Sequence, residues 1–191
     1  MNDRISRRLF LGGALALPLV DAWPQHGLAQ ATPACSSAGP THPETEGPYF
    51  KPRSPERRSL LEPGINGRAL ILTGAVVTTA CRPVARALLD FWHADSAGQY
   101  DNDGFRLRGH QYTDADGSYR LETVVPGLYT GRTRHVHVKV QAPGGPVLTS
   151  QLYFRGEPAN GRDWLFRREL VMTVIESADP LRTQFDFVVS A

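Results

Sequence analysis

The stretch YTGRTRHVHVKV, residues 129–140, sets two histidines one residue apart in a run of alternating valines. Side chains two apart on a strand share a face, with Cα atoms about 6.6 Å apart. His135 and His137 therefore project together, while Val136, Val138 and Val140 turn the other way, as core residues do. Imidazoles placed like this can converge on one ion, each at about 2.0–2.1 Å. Taken alone, a His-x-His pair is a weak signal, shared by zinc, copper and iron sites and by solvated strand faces. The remaining histidines add little. His93 and His110 stand in strand-like runs that suit hydrogen-bonded structural imidazoles, and His42 stands in a polar segment that suits exposure.

Working outward, short apolar or alternating runs recur between turn residues. They are ALILTGAVV (69–77), ARALLDFWHA (85–94), FRLRGHQYT (105–113), SYRLETVV (118–125), RHVHVKVQA (134–142), VLTSQLYF (147–154), ELVMTVI (169–175) and QFDFVVS (184–190). Their β-branched and aromatic content predicts an all-β, antiparallel β-sandwich with little helix. NGRDWLFRRE (160–169) is the candidate short helix. TDADGSYR (113–120) lacks the glycine and carboxylate spacing of a calcium-binding loop, so it predicts a tight hairpin turn, as does DNDG at 101–104.

The chain has 191 residues, 41% hydrophobic and 21% charged, with a net charge of +2. That suits one globular domain and gives no basic stripe for nucleic acid. Its first segment, residues 1–31, has a basic start (Arg4, Arg7, Arg8), an apolar run from Leu9 to Val20, and small residues at Ala29 and Ala31. This is the pattern of a cleaved signal peptide rather than a retained span. SRRLFL within it resembles the twin-arginine export signal, which predicts an exported, periplasmic protein with no stable membrane insertion after cleavage. Residues 32–66, rich in Pro, Gly, Ser and Thr, predict an extended arm, and residues 67–191 the sandwich. Cys35 and Cys81, the only cysteines, suggest one disulfide tying arm to domain in an oxidising compartment.

Two tyrosines raise the metal signal. Tyr129 ends a strand after VVPG, and Tyr100 follows FWHADSAGQ. A phenolate is a hard anionic donor that suits a hard trivalent ion. With an ordinary pKa near 10, it needs a strong Lewis acid to bind deprotonated at neutral pH.

Four segments together resemble the intradiol ring-cleavage dioxygenases, the catechol and protocatechuate 3,4-cleaving family. They are TEGPYF (45–50), LLDFWHADSAGQYD (88–101), TDADGSYRLETVVPGLYTGRTRHVHVKV (113–140) and LTSQLYF (148–154). The resemblance is greatest to the short, exported, single-domain members. It implies Fe³⁺ held by Tyr100, Tyr129, His135 and His137, with Tyr129 as the ligand that leaves and serves as a base. It implies Arg132 and Gln151 as catalytic neighbours, and Gly47, Pro48 and Tyr49 beside the substrate. The implied reaction opens a catechol-type ring between its hydroxyl-bearing carbons with O₂, giving a muconate-type diacid. Arg134 departs from the family, which has a smaller residue there. Three readings compete with this one: a non-catalytic exported binding module, a zinc protein or a copper protein. Neither the identity of the aromatic diol nor the oligomeric state, a homo-oligomer included, follows from the sequence.

Overall fold

The computed structural model describes residues 39–129 and 131–190. Residues 1–31, expected to be an export signal, Cys35 and the start of the arm lie outside the described residues. The chain divides into two units, Met1–Ala31 and Thr32–Ala191, and every described strand belongs to the second. Among the described residues no helix is long and apolar enough to cross a membrane.

Among the described residues nine strands form two sheets. In chain order they are β1 (Ala69–Thr78), β2 (Leu88–Trp92), β3 (Arg108–Tyr112), β4 (Ser118–Val124), β5 (His135–Gln141), β6 (Val147–Tyr153), β7 (Thr173–Glu176), β8 (Leu181–Gln184) and β9 (Phe187–Val189). One sheet runs β3-β2-β5-β6 and is antiparallel throughout. The other runs β4-β1-β8-β7, with β9 also on β1. It is mixed, because β8 and β9 both lie parallel to β1. Between the sheets Leu70, Leu72, Leu89, Phe91, Leu121, Val136, Val138, Val140, Leu152 and Phe187 are fully buried, so the valines of β5 are core as the alternation requires.

Three details depart from the sequence expectation. QFDFVVS is not one strand: Asp186 Oδ1 accepts the Ala75 N–H at 2.8 Å, ending β8 and restarting the chain as β9. The turn at Asp114–Ser118 is tight, with the Asp114 N–H on the Ser118 carbonyl at 2.9 Å. It is no hairpin, however, since β3 and β4 belong to different sheets. NGRDWLFRRE forms no α-helix, only 3₁₀ turns at Pro158–Gly161 and Arg168–Leu170. Asp163 turns its carboxylate onto the Leu165 N–H at 3.0 Å, and the Leu165 carbonyl accepts from Tyr153, so these backbone groups bond to side chains instead of to a helix.

The described part of the arm, residues 39–66, holds no helix and runs across both sheets. Thr41 pairs with Val188, Glu44 N–H reaches Thr149 O at 2.8 Å, and Leu60 N–H reaches Glu122 O at 2.8 Å. Glu56 and Ser59 form isolated bridges to His110 and Glu122. His42 is exposed on it. Cys81 is disulfide-bonded; Cys35, its expected partner, lies outside the described residues. His110 meets the Ser54 carbonyl at 2.7 Å.

His93 is structural. Its Nδ1–H donates to the Ala94 carbonyl at 2.7 Å and its Nε2 accepts from the Thr123 hydroxyl at 2.7 Å. Burial pushes this histidine from 6.5 down to about 4. Between those values the unfolded chain binds a proton that the folded chain refuses, so stability falls on acidification from 6.5 to 4, by roughly 3 kcal/mol from this group. Replacing His93 by Gln removes the dependence. The stability gap between wild type and His93→Gln, measured by urea unfolding across that range, is expected to narrow as pH falls; a constant gap contradicts the assignment.

Candidate metal and active site

The site lies on the face of β5 opposite the core. His135 and His137 share that face, and their Nε2 atoms stand 3.2 Å apart. Register supplies their neighbours. His137 is directly opposite Trp92 on β2 and Gln151 on β6, and His135 is opposite Tyr153. The Trp92 indole stacks on the His137 ring at 4.8 Å and 6°. His135 Nδ1–H donates to the Thr133 carbonyl at 2.6 Å, which leaves the lone pair on Nε2 facing the site.

Tyr100 joins them, with its hydroxyl 3.3 Å from His135 Nε2. Tyr129 stands edge-on to Tyr100, ring centres 5.8 Å apart. The loops carrying the two tyrosines touch backbone to backbone. A Cβ on Gly98 would fall 2.2 Å from the Leu128 carbonyl and one on Gly127 2.4 Å from the Gly98 nitrogen, so only glycines allow this approach. The Gly127 N–H also binds the Asp95 carbonyl at 2.7 Å.

The arm closes the site. Tyr49 stacks on Tyr100 at 4.4 Å and 13°, and its hydroxyl lies 2.7 Å from that of Tyr129. Gly47 backs onto His137, whose Cε1 lies 3.4 Å from where a Cβ would stand. Pro48, between them, is exposed. Gln151 is buried; its amide donates to the Thr45 carbonyl at 2.8 Å and its oxygen accepts from Arg132 at 2.6 Å.

Arg132 Nε donates to Asp163 Oδ2 at 2.8 Å, and the Thr133 N–H binds the same oxygen at 2.9 Å. Burial works to raise Asp163, but these donors outweigh it and hold the carboxyl below the ordinary range. Arg132, Tyr129, Leu128, Gly131, Ala159 and Arg162 line a cavity of about 310 Å³, enough for a small aromatic ring. Arg134 pairs with Glu157 at 3.0 Å and donates to the Pro126 carbonyl at 2.6 Å. The family departure thus ties together the segments that carry these two residues.

Electrostatics fit a cation. Burial lowers His135 to about 4, and burial, then the His135 ring, holds His137 well below its ordinary value. Burial raises Tyr100 above its ordinary value, against the pull of Arg132 and Arg108. Among the described residues His137 Nδ1 has no hydrogen-bond partner, so no neighbour commits its tautomer. Two neutral imidazoles facing each other at 3.2 Å match the separation of two donors about 2.1 Å from one ion at roughly right angles. Among the described residues no cluster of three or more His, Cys, Asp or Glu could hold a metal. An ion here would therefore rely on phenol oxygens, which favours a hard trivalent ion over zinc or Cu⁺.

All four ligand candidates, with Arg132, Gln151, Gly47 and Tyr49, thus come to one place. Sequence reasoning missed Trp92, Arg108, Thr133 and Asp163. Trp92 passes for a core aromatic, and Thr133 acts through its backbone. Arg108 passes for a polar strand residue, and Asp163 for part of a helix.

Comparison with known proteins gives the family. The Dioxygenase family model matches residues 45–191. Catechol 1,2-dioxygenase from Acinetobacter baylyi is 28% identical over 166 residues, covering 71% of this chain and 53% of that one. Two solved structures superpose well. The dioxygenase domain of a dioxygenase carbohydrate-binding protein fusion from Streptomyces sp. SirexAA-E has TM-score 0.77 and 55% identity, covering 80% of this chain and 99% of that one. 3-Chlorocatechol 1,2-dioxygenase from Rhodococcus opacus 1CP has TM-score 0.73 and 28% identity, covering 79% of this chain and 73% of that one. The chain belongs to the intradiol ring-cleavage dioxygenase family. It spans about half of the Acinetobacter enzyme's length.

Replacing Asp163 by Asn leaves Arg132 without its counter-charge. The expected loss is about 2 kcal/mol of unfolding free energy, read from urea denaturation at neutral pH. Because the Asp163 carboxyl is held low, its contribution fades as pH falls through the carboxylate range, and the two proteins are expected to converge there. Equal stability at neutral pH contradicts the pairing.

Proposed function

We propose that this chain is a non-haem ferric dioxygenase. It cleaves a catechol-type ring between its two hydroxyl-bearing carbons with O₂, giving a cis,cis-muconate-type diacid. The observation that carries the reading is the convergence of Tyr100 Oη, His135 Nε2 and His137 Nε2, at 3.2 and 3.3 Å, beside Tyr129 and Arg132. Both oxygen atoms of O₂ enter the product, so the balance needs no reductant.

Tyr100, Tyr129, His135 and His137 would hold the iron. When bound, Fe³⁺ supplies the positive charge that draws the protons from the diol and opens the ring to O₂. The residues do the rest. Tyr129, its Oη 2.7 Å from Tyr49 Oη, is placed to take a substrate proton and to share it with Tyr49. Arg132, braced by Asp163 and Gln151, faces the cavity as a fixed cation against charge developing on the ring. Gly47 and Tyr49 bring the arm over the metal site and help exclude water from it.

The same reading puts the protein outside the cytoplasm, in the periplasm. It is supported by the export-type pattern of residues 1–31 and by the disulfide at Cys81.

The test couples oxygen uptake to product mass. Iron-loaded protein given catechol is expected to consume one O₂ per ring and to yield the diacid. Tyr129→Phe, which keeps the ring and removes the base, is expected to lower kcat on the order of a hundredfold. Catechol binding without oxygen uptake would leave a binding module, and an unaffected Tyr129→Phe would remove that residue from the chemistry.

A further inference from the structure

Arg108, the first residue of β3, is only 1% exposed. A guanidinium buried to this degree costs several kcal/mol unless its surroundings answer the charge. Each of its hydrogen bonds goes to a main-chain carbonyl. Nε and Nη2 donate to Asp101 O at 3.1 and 2.9 Å, and Nη1 donates to Tyr49 O. Those carbonyls belong to Tyr49 itself and to the residue next to Tyr100, the two members of the ring stack over the site. Arg108 also lies directly across the ladder from Trp92, whose indole stacks on His137.

A second cation repeats the device from the other side. Lys51 Nζ, two residues beyond Tyr49, donates to the carbonyls of Asn102, Asp103 and Gly104 at 3.1, 2.9 and 2.8 Å. Without Arg108 and Lys51 the carbonyls between these two loops would have no donor here. The same two segments also meet through the stacked rings of Tyr49 and Tyr100.

We propose that Arg108 is a positioning residue: by binding the carbonyls on both sides at once, it sets the arm residue Tyr49 and the Tyr100 loop in register, and so places the Tyr100 hydroxyl against His135. Its forked guanidinium is what makes this work, since it spans carbonyls on two separate segments, whereas the Lys51 ammonium gathers three neighbouring carbonyls of one loop. The positioning stands on geometry alone, while its catalytic consequence rests on the function proposed above.

The experiment is hydrogen exchange on the metal-free protein, followed by iron loading. In Arg108→Gln, exchange in segments 47–52 and 99–104 is expected to rise about tenfold, with β1 and β8 unchanged. Arg108→Lys is expected to fall between wild type and Gln. Arg106→Gln, a neighbour whose ion pair with Glu62 is on the surface, is the silent control. After iron loading, Arg108→Gln is expected to show a displaced tyrosinate-to-iron absorption band and a lower kcat for catechol. Should Arg108→Gln not fold, Lys51→Gln carries the same test and is expected to loosen 99–104.

Exchange that rises equally in β1 and β5 would make Arg108 a core-filling residue, and unchanged exchange in both loops would remove it from their positioning. Either overturns the proposal. If wild-type protein cleaves no catechol, the proposed function falls, while the exchange pattern still decides the role of Arg108.

Discussion

Two imidazoles that face each other across 3.2 Å, in a place where neither can readily take a proton, organise this site. In water each would carry its own solvent. Here His135 has its Nδ1–H fixed by a backbone carbonyl, and the ring of His137 lies flat on Trp92. Their Nε2 atoms meet each other and the Tyr100 hydroxyl, three potential donor atoms turned toward one point, an arrangement that a bound cation would stabilise. The other features serve that pair. β2 and β6 bring Trp92 and Gln151 alongside through register alone, and the arm seals the face that an ordinary sandwich strand would leave wet.

Positive charge surrounds the site in a graded way. Arg132 is answered by Asp163 and Gln151 and keeps its face to the cavity. Arg108 hydrogen-bonds to carbonyls, with the Asp101 and Asp90 carboxylates near enough to offset its charge. Both pull the Tyr100 phenol toward ionisation, against a larger contribution from burial. The fold alone leaves this tyrosine protonated; under the proposed function a trivalent ion would supply the difference. On that reading phenol side chains stored neutral in a dry site would become anionic ligands when the ion binds.

Much of the architecture was legible from β5 outward. Alternation in RHVHVKV assigned the valines to the core and the histidines together, and both hold in the structure. What stayed hidden depended on side chain–backbone competition. Asp186 splits the last strand and Asp163 replaces a helix with turns; in each case one carboxylate takes a backbone N–H, and no pattern of hydrophobicity records this. The parallel pairing of β8 and β9 is likewise a matter of which edge of β1 is free. The ligand candidates came from motif resemblance, and the structure brings their side chains close together. Arg108 did not, because its partners are carbonyls and any residue can supply one.

The central claim is that phenol oxygens and two imidazoles here make one ferric site. The most direct measurement is visible absorption with iron analysis on the same sample, for wild type and Tyr100→Phe. The account predicts one iron per chain and a red-brown tyrosinate-to-iron band that moves when catechol is added and is weakened or displaced in Tyr100→Phe. A colourless wild-type protein that takes up no iron, or a band that Tyr100→Phe leaves untouched, would contradict it.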